Sequence, residues 1–258
     1  MTPSYWQKIG VIALNTFRET VRDKLLYSLI AFAGLVIAAS LLAGSVSLGQ
    51  DVRVINDFGL TAMLVFLLII TLFVGTQLVF REIERKTIYL ALTKPISRDQ
   101  FYLGKYLGLC LTILVAAVMM AVLFLGVLYF KTKGVSVSAV WAIGFLVLEA
   151  WLLTAVGLLF SSFASPISSA VYTFCLALIG HSSTSIWTIA QKSPVALKGI
   201  LEFVYYVFPN LEKFNLRNEV VFNFRPDAVQ VIAVLGYFLG YTLVVLFLGG
   251  LIFRRDEF

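Results

Sequence analysis

Six stretches of this chain stay apolar for about 20 residues, the length a helix needs to cross a bilayer. They are Leu25–Ala43, Leu60–Phe80, Leu107–Phe130, Ala139–Phe160, Ile167–Trp187 and Val231–Phe253. Backbone in lipid must satisfy its own hydrogen bonds, so runs of this kind fold as helices. The expected fold class is therefore all-α: a polytopic membrane protein with six transmembrane helices in one domain, residues 1–258. Composition agrees, with 60 % hydrophobic and 13 % charged residues against about 25 % charged in a soluble domain. A soluble globular fold is excluded. The fifth stretch turns polar at His181-Ser182-Ser183-Thr184-Ser185, so it is expected to end at a water-facing mouth or near the interface.

Lys and Arg set the orientation, because they accumulate on the cytoplasmic side of the spans. One side carries 12: four in the N-terminal segment, six in Arg81–Tyr106, and Arg254 and Arg255. The other side carries eight, five of them in one long segment before the last span. Both termini are expected in the cytoplasm. The same asymmetry accounts for the net charge of +6 without nucleic acid as a partner. All six prolines lie outside the spans or at their edges. Pro-broken helices of the kind that build many ion-coupled carriers are not indicated.

Before the first span, residues 1–24 read as an amphipathic interface helix. Trp6, Ile9, Ala13 and Phe17 recur at helical spacing, with Lys8, Asn15, Arg18, Glu19 and Arg22 opposite. Residues 188–230 form an extracytoplasmic segment. Within it Leu201, Val204, Tyr205 and Phe208 mark a second amphipathic helix, ended by Pro209 and followed by a polar stretch from Asn210 to Asn218. Gly104-x-x-x-Gly108 and Gly236-x-x-x-Gly240 permit close helix approach, either within the chain or between copies. Cys110, Cys175 and the single His181 lack metal-ligand spacing, so no metal site is expected.

The charged segment Arg81–Lys105 interrupts the apolar pattern. Glu82–Thr93 contains neither Gly nor Pro and suits a short helix that Pro95 stops. Ser97 followed by Gln100 is a capping box that starts the next helix. Helix, turn and helix together make a rigid element that can pass a push into the membrane; an ordinary basic loop that only fixes topology is the alternative.

The string Glu84-Arg85-Lys86-Thr87-Ile88-Tyr89-Leu90-Ala91-Leu92-Thr93-Lys94-Pro95-Ile96-Ser97-Arg98, with Phe101 and Gly104-Lys105 after it, closely resembles the signature of ABC type-2 (ABC-2) permeases. These are the membrane subunits of ABC exporters of the inner membrane. The interface helix, the six spans and the long segment before the last span are similar to that family's plan. The resemblance implies that Glu82–Thr93 is a coupling helix docking on a separate ABC ATP-binding subunit. Glu82, Glu84, Arg85, Lys86, Thr87, Tyr89 and Leu90 would be the contacts, and Pro95, Ser97 and Arg98 the coupling turn. It also implies a second permease copy, and ATP and Mg bound by the partner subunit rather than here. Consistent with that, no G-x-x-x-x-G-K-[ST] phosphate cradle occurs in the sequence, so no catalytic site is expected.

Glu149 lies near the middle of the fourth span. An ionisable group at that depth costs about 3 kcal/mol or more, so it should face a cavity or a partner. As no other charged residue falls within a span, an ion pair inside one chain is not expected. Glu149 is the candidate substrate-pathway residue, with a protonated carboxyl bonded to a neighbouring helix as the plainer reading. Three other outputs stand beside export: mechanical work passed to an extracytoplasmic partner protein, a proton-coupled carrier using Glu149, and an intramembrane enzyme. The last lacks paired acids, His clusters and metal ligands.

Overall fold

The computed structural model describes residues 4–46, 51–84, 97–134, 136–220, 222 and 224–255, without the side chains of 43, 45, 46, 76–84, 254 and 255. Among them the structure is helical: α1 (Tyr5–Val21), α2 (Lys24–Val46), α3 (Asp51–Glu84), α4 (Arg98–Thr132), α5 (Val137–Ser161), α6 (Pro166–His181), α7 (Ser183–Lys192), α8 (Val195–Val207), a 3-10 turn (Leu211–Phe214), α9 (Arg217–Val220) and α10 (Ala228–Arg255). The end bearing Glu84 and Arg98 is taken as the lower end. Five helices, α2, α3, α4, α5 and α10, are long and apolar enough to cross a membrane. They match five of the six expected spans.

The fifth expected span, Ile167–Trp187, differs. Its helix α6 has 16 residues, about 24 Å at 1.5 Å per residue, short of the ~30 Å hydrocarbon core. It stops at His181, and α7 sets off from Ser183. No proline is needed for this break. Serine hydroxyls compete for backbone partners and loosen helices; here the Ser183 hydroxyl donates to the Gly180 carbonyl at 2.8 Å. The helix thus ends where the run turns polar, at the His181–Ser185 stretch.

Helix α5 is the axis of the bundle. Of its central window 67 % is buried, against 28 % in α2 and 22 % in α10, which form the rim. One apolar cluster joins α2, α3, α4 and α5 around Ile37, Met63, Met120, Phe124 and Leu146. A second joins α4, α5 and α10 around Leu109, Leu152, Phe238 and Phe253. Asp51 at the upper start of α3 pairs with Lys131 near the upper end of α4 at 2.6 Å.

Helix α1 packs along the lower half of α4, and glycine makes this possible. A Cβ at Gly104 would stand 2.7 Å from Ile12, and one at Gly108 2.6 Å from the Ala13 carbonyl oxygen. The first G-x-x-x-G thus receives α1 within the chain. The buried stripe of α1 is Ile9, Ala13, Thr16 and Thr20. It keeps two members of the expected stripe, while Trp6 stays 73 % exposed; closest approach to glycine selects small side chains over a tryptophan. At Gly236 and Gly240 an added Cβ would meet nothing within 4 Å.

The segment between α6 and α10 turns back into the bundle. Tyr241 donates to the Val207 carbonyl, and Tyr237 accepts from the Asn210 amide at 2.7 Å. Tyr241 lies 13 residues, about 20 Å, below the upper start of α10. The Val207–Asn210 bend therefore sits near mid-height. From there Leu211 and Phe214, both 0 % exposed, enter the second core cluster. Non-helical backbone at such depth is tolerated where protein covers it. Helix α8 has no buried residue and leans on α7 through Trp187 and Tyr205, ring centres 4.8 Å apart.

Candidate functional site

Glu149 lies 12 residues, about 18 Å, from each end of α5, which is mid-height. Its side chain is 5 % exposed, and its Oε1 lies 2.8 Å from His181 Nε2. The neighbouring helix that the plainer reading calls for is α6, which places His181 against the carboxyl. The broken α6 ends at this depth and delivers its terminal histidine to the carboxylate. A cation at a helix C-terminus is also favoured by the carbonyls that end there. The contact is close but angled: neither His181 Nε2 nor Glu149 Oε2 makes an aligned hydrogen bond among the described residues. Both side chains of the pair thus keep polar capacity left over.

The re-entrant segment closes over the pair from above. Glu212 and Arg217 bring two charges of opposite sign in this segment, and Leu211 next to Glu212 packs against Gly180, the neighbour of His181. Asn210 caps the 3-10 turn by accepting from the Glu212 amide at 3.0 Å. The Asn215 amide donates to Glu212 Oε1 at 2.9 Å, and its oxygen accepts from Arg217 Nε at 3.0 Å. Arg217 Nη1 then donates to the Thr61 hydroxyl of α3 at 3.1 Å. A polar chain runs from α3 across the segment toward the buried pair. Lys213 lies over the Tyr237 ring at 4.0 Å, a cation–π contact that holds the turn to α10.

Gly180 lets the segment come this close. A Cβ there would fall 2.6 Å from Leu211 and 2.7 Å from the Pro209 carbonyl oxygen. Above the pair lies a cleft of about 360 Å³ lined by Phe145, Glu212, Asn215, Glu219 and Gln230 among others. Phe145 is one helical turn above Glu149. The arrangement places an acid and an imidazole together at mid-height beneath a polar mouth.

At the lower end, Glu82 and Glu84 fall in the last turn of α3. Arg85, Lys86, Thr87, Tyr89, Leu90 and Pro95 lie outside the described residues. Ser97 starts α4 as its sequence promised: its hydroxyl accepts from the Gln100 amide at 3.3 Å, and Gln100 Oε1 accepts from the Ser97 amide at 3.0 Å. Arg98 reaches the far end of the chain and donates to the Phe253 carbonyl of α10 at 3.2 Å. Phe101 stacks on the Phe253 ring at 6.0 Å. The lower end of α4 is thereby fixed to both α1 and α10. The site residues that spacing missed are His181, Glu212, Asn215, Arg217 and Thr61; the Asn210–Asn218 polar stretch was the visible trace of three of them.

No curated protein matches the chain. The model of the family described as ABC-2 family transporter protein matches residues 11–258. Proteins of this family are typically membrane subunits without an ATPase site of their own and work with an ABC ATP-binding partner. The match covers the spans, the broken α6, the re-entrant segment and the charged stretch alike, and this multi-pass membrane protein belongs to the ABC-2 transporter family.

Proposed function

We propose that this chain is the permease subunit of an ATP-driven exporter of the inner membrane, with both termini in the cytoplasm. Two copies form the transport path, and each docks a separate ABC subunit that binds ATP and Mg. The docking element is Glu82–Thr93, with Glu82, Glu84, Arg85, Lys86, Thr87, Tyr89 and Leu90 as contacts and Pro95, Ser97 and Arg98 as the turn. Closure of the paired ATP-binding subunits moves this element, and the spans open outward. The observation that carries the reading is the Glu84–Lys105 motif between two helices built to transmit force. Helix α3 is unbroken over 34 residues down to Glu84, and α4 is capped at Ser97 and clamped to α10 through Arg98. Glu149, with His181, is the candidate substrate-pathway residue.

The broken α6 beside a buried carboxylate favours a second reading, a proton-coupled carrier, because ion-coupled carriers build their sites at such breaks. A partner ATPase separates the two. The chain purified from its native host should bring a phosphate-loop protein with it. The double charge reversal Glu84→Arg/Arg85→Glu should abolish that association while the permease still reaches the membrane. Absence of any ATPase, or retention after reversal, contradicts the coupling assignment. The same subunit could pass its motion to an extracytoplasmic partner protein instead of a cargo; a non-ATPase protein retained at the upper face after the reversal would distinguish that output.

A further inference from the structure

We infer that Arg217 is the positioning residue through which α3 sets the re-entrant segment, so that movement entering at Glu84 reaches the upper mouth. This rests on the exporter reading above and adds the route by which motion crosses the bilayer. Thr61 and Glu84 lie on one helix, 23 residues and about 35 Å apart. Between them no proline interrupts the chain. A rotation or tilt at the lower end therefore displaces the Thr61 hydroxyl at the upper end.

The link from Thr61 is polar and directional. Arg217 Nη1 holds the hydroxyl at 3.1 Å while Nε holds Asn215 at 3.0 Å. The backbone amide of Arg217 also donates to Asn215 Oδ1 at 3.2 Å, so arginine and asparagine move as one unit. Asn215 in turn holds Glu212 at 2.9 Å, in the 3-10 turn whose Leu211 packs against Gly180, next to His181. Beneath these bonds Val220 packs in the same apolar cluster as Leu60 and Met63 of α3. Apolar packing alone tolerates sliding. A guanidinium bond to one hydroxyl does not, since hydrogen bonds weaken steeply when misaligned. The bond thus converts displacement of α3 into displacement of the 3-10 turn that packs beside His181 and Glu149.

The test uses the full complex with its ATP-binding subunit in sealed vesicles. A reporter cysteine, Glu219→Cys, stands at the upper cleft in a Cys110→Ala/Cys175→Ser background. A membrane-impermeant thiol reagent is added on the outer side, without nucleotide and after vanadate trapping. Trapping should change the labelling rate about tenfold in the parent. Thr61→Val, which keeps volume and removes the acceptor, should reduce that response to less than about twofold. Thr61→Ser, which restores the hydroxyl, should recover it. ATPase turnover is read in every sample. A full response in Thr61→Val overturns the Arg217 link and leaves the exporter reading standing, as does a parent that turns over ATP without any change in labelling. A chain that associates with no ATPase overturns the exporter reading, and the link falls with it.

Discussion

Replacing His181 by alanine is expected to destabilise the protein by about 1–3 kcal/mol, the usual cost of leaving a buried polar group without its partner. The change would leave the Glu149 side chain, 5 % exposed, without the imidazole, and its Oε2 already lacks a hydrogen-bond donor among the described residues. Glu149→Gln should be milder, about 1 kcal/mol, because the amide keeps the shape of the side chain and a polar group opposite His181 Nε2. The double variant Glu149→Gln/His181→Gln should recover most of the His181→Ala loss. Unfolding in mixed micelles, followed by tryptophan fluorescence, reads all three. Equal effects of the two single changes would contradict the pairing. Transport should fall in Glu149→Gln although assembly and ATPase docking persist; unchanged transport would remove Glu149 from the pathway.

The second large effect is expected at Gly180. Gly180→Val places side-chain carbon where Leu211 and the Pro209 carbonyl oxygen now stand, at 2.6 and 2.7 Å. Leucine can shift, but a backbone oxygen held between Phe208 and the 3-10 turn cannot do so without moving the segment. The segment should leave the bundle, exposing Leu211 and Phe214, at about 3 kcal/mol or more. Protease added at the upper face should then cut between residues 208 and 216. Gly236→Ala and Gly240→Ala are the controls. Their Cβ atoms meet nothing within 4 Å, and alanine is the better helix former by up to about 1 kcal/mol. Controls as damaging as Gly180→Val would mean that the close approach at Gly180 is not what seats the segment.

The sequence predicted best where a single local rule decides. Apolar length alone placed α2, α3, α4, α5 and α10. Ser97 and Gln100 announced the start of α4, because a capping box needs only four residues. Pro209 ended α8, as a residue that cannot continue a helix should. What escaped depended on contacts between distant segments. The polar run at His181–Ser185 marked where α6 ends, but not that the end places His181 against Glu149. The re-entry of Leu211 and Phe214 was invisible for the same reason: an apolar residue in a polar stretch reads as a loop until Gly180 admits it. The face of α1 shifted from the expected stripe because the depth of the α4 groove, not the hydrophobicity of α1, selects what is buried. The contact residues on the charged stretch, Arg85 to Leu90, rest on motif position, since they fall outside the described residues.

The account turns on that stretch meeting an ATP-binding subunit in the cytoplasm. The most direct measurement is site-specific photocrosslinking in native membranes, with the probe amino acid at Thr87 and, as a comparison, at Lys133 beyond the upper end of α4. The account predicts a crosslink from Thr87 to a phosphate-loop protein, lost after Glu84→Arg/Arg85→Glu, and none to that protein from Lys133. A Thr87 probe that captures no ATP-binding protein, or a Lys133 probe that captures one, would contradict it.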